Sequence, residues 1–123
     1  MNLMISASAV AGFLAVGLGA FGAHGLKNRL DADMMAVYQT AVQYHFYHTL
    51  ALLAVGLLIQ FGGSSTALKI SGWSFALGIV VFSGSLYALA LSGVRVLGAI
   101  TPIGGLMFLV GWAALLVASL RSV

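Results

Sequence analysis

Residues 3–23 read LMISASAVAGFLAVGLGAFGA, a run without one charged side chain. A helix rises about 1.5 Å per residue and the hydrocarbon core of a bilayer is about 30 Å thick, so roughly 20 such residues cross it. Residues 41–61, 70–92 and 102–120 are uncharged in the same way. Only 6% of the chain is charged against 62% hydrophobic, too little polar surface to cover a water-soluble core. The sequence therefore predicts an all-α fold, an integral membrane four-helix bundle with short loops. It is expected to form one domain over 1–123, with helices at about 3–24, 37–61, 70–92 and 102–120.

The chain has no Cys, which excludes disulfides, thiolate metal sites and cysteine nucleophiles. Its net charge of +3 comes from scattered Lys and Arg that form no basic stripe. Membrane lipids, and no nucleic acid, are the partners this implies. Ala20–Phe21–Gly22–Ala23 imitates a signal-peptide cleavage site, but Met1–Asn2–Leu3–Met4 lacks the basic residue such peptides need. The first helix is expected to stay.

Let side A be the membrane face near Met1. The linker 25–36 then lies on side B, Gly62–Gly63–Ser64–Ser65 turn on side A, and the last helix ends there at Arg121. Asp31 or Asp33 can cap the second helix. Thr101–Pro102 reads as an N-cap followed by Pro at the first helical position, making 93–101 an apolar, non-helical segment. The alternative is a helix from Val96 kinked at Pro102. Lys27, Arg29 and Arg95 on side B against Lys69 and Arg121 on side A favour side B as cytoplasmic by one residue.

Helices in lipid associate through close packing and interhelical hydrogen bonds. Ala7, Ala11, Ala15, Gly19 and Ala23 recur every four residues, with Ser8, Gly12, Val16, Ala20 and His24 beside them. A comparable row in the third span is Gly72, Ala76, Val80, Gly84, Ala88 and Ser92. These rows predict tight helix contacts, and they predict that His24 points inward.

Polar chemistry gathers toward side B. His45 and His48 lie about 60° apart on the second helix, beside Tyr44 and Thr49. Ser83, Ser85 and Tyr87 approach on the third span, and Thr101 opens the fourth. Arg95 could turn inward as an anion anchor. Polar groups at that depth need partners or a wet cavity. Three readings follow: an interhelical hydrogen-bond network, a pocket for a small polar or amphipathic ligand, or a metal or haem site using H-x-x-H with His24. The last lacks supporting Cys or membrane-depth carboxylates. The missing carboxylate also argues against a Ser–His hydrolase.

GAFGAHGL (Gly19–Leu26), the His45 and His48 pair, FSGSLYALAL (Phe82–Leu91) and TPIGG (Thr101–Gly105) together resemble the domain of unknown function 423 family, whose animal relatives are called transmembrane protein 256. The likeness covers nearly the whole chain. It implies a multi-pass protein of the bacterial inner (plasma) membrane and carries no activity with it. It also implies that His45 is replaceable by Gln, which argues against an obligatory metal ligand there.

The function expected is binding or passage of a small polar or amphipathic ligand at a side-B vestibule, without enzymatic activity and without metal or cofactor. His24, His45 and His48 would supply switchable hydrogen bonds. Tyr44, Ser83, Ser85, Tyr87 and Thr101 would add neutral groups, with Arg95 at the rim. The alternative is a scaffold for a membrane complex, as a homo-oligomer or with another membrane protein.

Overall fold

Asn2 starts the first helix: its side-chain oxygen accepts from the Met4 and Ile5 amides at 3.1 Å each. Helix α1 then runs Leu3–His24. The computed structural model describes residues 2–121 and continues with α2 (Ala32–Gly62), α3 (Thr66–Gly78), a π turn (Ile79–Ser83) and α4 (Gly84–Ser92). A 3-10 turn (Arg95–Ala99) and α5 (Thr101–Arg121) follow. Because α3, the π turn and α4 are continuous, the third span is Thr66–Ser92, and four helical segments are long and apolar enough to cross a membrane.

Two helices start earlier than hydropathy places them. The Asp31 carboxylate accepts from the Met34 amide at 2.8 Å, so α2 begins at Ala32 and not near 37. The Ser65 hydroxyl accepts from the Leu68 amide at 3.2 Å, so α3 begins at Thr66 and not near 70. The capping oxygen satisfies a free amide of the first turn, which can then be polar while it lies outside the hydrocarbon. Glycine is required at Gly63 (φ 90°) and Gly93 (φ 73°), where the second and third spans end in conformations that Cβ disfavours. Beyond Gly93 the segment coils into the 3-10 turn, and α5 begins at Thr101 itself.

Spans that follow one another in the chain are tied by polar side chains. The Asn2 amide donates to the Gly56 carbonyl (2.9 Å) and the Tyr38 hydroxyl to the Leu18 carbonyl (2.5 Å), fastening α1 to α2 near both ends. Ser83 donates to the Ala41 carbonyl at 2.8 Å, joining α2 to the third span. Ser71 donates to the Gly111 carbonyl at 2.8 Å, and the Ser85 and Thr101 hydroxyls meet at 2.6 Å, joining the third span to α5. Glycines permit these approaches: Gly22 lies under the Tyr38 ring, Gly78 against Phe108, Gly111 against Phe75, and Gly104 against the Phe82 backbone.

The seam of α1 departs from the four-residue rows. Its buried residues are Met4, Ser8, Ala15 and Gly22, a repeat close to 3.5. A four-residue row drifts about 40° per step, so from Ser8 to His24 it turns through about 160°. His24, expected to point inward, is therefore exposed on the far side of the helix. The row on the third span also fails to close along its length. Gly72 takes the Met4 side chain, but nothing approaches the position a Cβ would occupy at Gly84.

Gly104→Ala and Gly105→Ala form a matched test of this packing. At Gly104 the added methyl meets the Phe82 main chain, and at Gly105 it meets nothing. Gly104→Ala should lower the thermal midpoint in mild detergent, as expected of overpacking at about 1–3 kcal/mol. Gly105→Ala should leave the midpoint unchanged or raise it slightly.

Candidate functional site

His45 and His48 sit three residues apart on α2 and face different neighbours. His48 lies against α5. Its Nδ1 meets the Tyr44 carbonyl at 2.8 Å, and Trp112 Nε1–H donates to its Nε2 at 3.1 Å. A carbonyl only accepts and an indole N–H only donates, so His48 is the neutral Nδ1–H tautomer with both nitrogens in use. Its ring stacks on Phe108 with centroids 3.5 Å apart and planes 6° from parallel. Tyr44, itself 4.9 Å from the Phe82 ring, extends this aromatic group.

His45 looks the other way, toward α1 and the third span, and is only 3% exposed. Its Nδ1 lies 2.8 Å from the Tyr87 hydroxyl. Its Nε2 is buried and makes no hydrogen bond. The Ala11 carbonyl of α1 interacts with the ring, but outside hydrogen-bond geometry.

Beside His45 runs a cavity of about 500 Å³. One wall is Ala7, Val10, Ala11, Leu14 and Leu18 of α1, and the other is Ala76, Ile79, Val80, Gly84 and Tyr87. His45 and Leu52 of α2 complete the lining, and no charged residue takes part. Val10, Leu14 and Val80 are exposed, so the groove opens sideways, where lipid would lie. The π turn runs along this wall through Ile79 and Val80. Such turns interrupt the regular ladder and recur at functional sites.

The nine residues expected to share one vestibule are thus distributed over several places. His45 and Tyr87 meet at the groove. His48 and Tyr44 belong to the aromatic group against α5, Ser83 bonds the Ala41 carbonyl, and Ser85 pairs with Thr101. His24 and Arg95 are exposed and join none of these contacts, Arg95 lying on the 3-10 turn. Among the described residues no group of three or more His, Asp or Glu could hold a metal ion. The sequence reading missed Trp112 and the small residues of the groove walls. Ala7, Ala11, Ala76, Val80 and Gly84 all belong to the four-residue rows, which by spacing alone predict contact faces.

The family described as "Protein of unknown function (DUF423)" matches residues 18–105. A "UPF0382 membrane protein" of Staphylococcus epidermidis is 48% identical over 121 residues, covering 98% of each chain. The "UPF0382 membrane protein YwdK" of Bacillus subtilis is 43% identical, again over 98% of each. The "UPF0382 inner membrane protein YgdD" of Escherichia coli is 44% identical over 98% of this chain and 91% of its own. No solved structure matches the chain.

The tautomer assigned to His48 makes a checkable statement. Trp112→Phe keeps the ring but removes the N–H, leaving His48 Nε2 without a donor. It should destabilise the bundle by about 0.6 kcal/mol, near the mean for interhelical bonds in lipid. His48→Ala should cost more, because the Phe108 stack is lost as well. In a double-mutant cycle of unfolding in detergent the two changes should be non-additive.

Proposed function

We propose, for a chain that belongs to the DUF423 family of proteins of unknown function, that it binds an amphipathic, membrane-soluble molecule in the groove between α1 and the third span. The protein is a multi-pass protein of the inner membrane, so its ligand would come sideways out of the bilayer. One observation carries this reading: two faces that carry small residues at Ala7, Ala11, Ala76 and Gly84, of the kind that normally press helices together, leave about 500 Å³ between them. That volume falls in the roughly 300–1,000 Å³ range of small-molecule sites. The lining is apolar apart from His45 and Tyr87, which suits a molecule with a long apolar part and one polar group. We assign it no enzymatic role, because no carboxylate lines the groove to orient His45 as a base.

A second reading has support from the same walls. Small residues on both sides would also seat a helix, from another copy of the chain or from a partner in a larger complex. On that scaffold reading the bonds of His48, Ser83, Ser85 and Thr101 hold the helices in register around the docking face.

Gly84→Leu separates the two readings. A side chain at Gly84 has free space, and in a helix Leu is favoured over Gly by nearly 1 kcal/mol. The variant should fold at least as stably as the parent while plugging the groove. Protein purified in mild detergent should carry a bound lipid-soluble molecule, visible by native mass spectrometry, and Gly84→Leu should lose at least nine-tenths of it. Loss of an oligomer, with no small molecule in either preparation, would favour the scaffold.

A further inference from the structure

We infer that the groove selects an uncharged, lipid-soluble carbonyl compound, the chemical class of a long-chain quinone, and that the Nε2–H of His45 donates the hydrogen bond that holds it. The inference rests on the ligand-binding reading above.

The Tyr87 hydroxyl has one hydrogen-bond partner, His45 Nδ1 at 2.8 Å. If Nδ1 carried the proton, the phenolic proton would have no acceptor. With the hydroxyl donating, both atoms are satisfied and Nδ1 is the bare nitrogen. A neutral imidazole then carries its hydrogen on Nε2. This is the opposite tautomer to that of His48, and Tyr87 sets it.

Among the described residues that N–H is the one buried side-chain group without a hydrogen-bond partner. The Ala11 carbonyl lies beside the ring but outside hydrogen-bond geometry. A donor stripped of water in hydrocarbon is costly until something accepts from it. What the groove lacks is therefore an acceptor in hydrogen-bond geometry with that N–H.

Two further observations narrow the acceptor. No Lys or Arg lines the groove, so a phosphate or carboxylate would be buried there without a counter-charge, which the bilayer interior penalises. Depth excludes most of what remains. His45 lies about 20 Å along an α2 that is about 46 Å long, near its middle. Phospholipid headgroups and their ester carbonyls ride near the membrane surface. A ring carbonyl on an apolar tail can instead sit in the hydrocarbon interior, with its oxygen against Nε2–H and its tail between Ala7, Ala76 and Val80. Tyr87 would act as a positioning residue, since it touches the ligand only through the tautomer it imposes on His45.

Three probes of one chain length test this: decyl-benzoquinone, decylbenzene and decanoate, with binding measured by native mass spectrometry in mild detergent. The parent protein should bind the quinone at least tenfold more tightly than either of the others. His45→Leu should abolish that preference. His45→Gln, which keeps a side-chain N–H, should retain most of it, and Gly84→Leu should bind no probe. Equal binding of decyl-benzoquinone and decylbenzene by the parent would overturn the carbonyl selection while leaving the groove as a lipid site. A preference that survives in His45→Leu would overturn the role given to His45. Failure of every probe to bind a parent that also carries no lipid would overturn the groove reading as well. The comparison among probes on the parent chain stands even where His45→Leu fails to fold.

Discussion

Inside a bilayer a polar group has no water to fall back on, and this bundle is organised around that constraint. Most ties between its spans end on a main-chain carbonyl: Asn2 on Gly56, Tyr38 on Leu18, Ser83 on Ala41, Ser71 on Gly111. A carbonyl has two lone pairs, so it can accept from a neighbouring helix without surrendering its own helical bond. Such bonds require backbones to come close, which explains the glycines opposite Tyr38, Phe75 and Phe82. Lipid tails are as apolar as the side chains they touch, so burial in hydrocarbon alone would not have selected this arrangement.

One pair of neighbours is left out. Among the described residues no side-chain hydrogen bond links α1 to the third span, where Met4 packs over Gly72. With nothing to draw them together, the two faces diverge, and the groove is the space between them. The π turn at Ile79–Ser83 lies along the same stretch. Within it Ser83 donates to Ala41 on one side while Ile79 and Val80 line the groove on the other. The fastening of the third span to α2 and the opening toward α1 thus meet in a few residues.

The two histidines illustrate how position decides chemistry. A separation of three residues turns His45 and His48 about 60° apart, enough to give them different neighbours. His48 finds a donor in Trp112 and an acceptor in the Tyr44 carbonyl, with Phe108 stacked on its face. It is held in one protonation state and one orientation. His45 has Tyr87 at one nitrogen only. The proposed ligand-binding role follows from that inequality, since a fully bonded imidazole has nothing left to offer a ligand.

Four uncharged runs, each long enough to cross hydrocarbon, determined by themselves that this chain is an all-helical membrane protein, because the bilayer reads length and polarity and little else. A cap at Asp31 or Asp33 was legible, since capping needs only a local oxygen, and Asp31 supplies it. The histidines were legible as costly groups in need of partners, but which partners they found was not. That depends on helix rotation, and a four-residue row and a 3.5-residue seam look alike over two turns yet diverge by about 160° between Ser8 and His24. Nor could sequence tell a small-residue face that closes from one that stays apart, since Gly72 and Gly84 belong to the same row and only Gly72 is covered. Tertiary structure decided it, because closure depends on whether a second helix brings a side chain that can fill the gap.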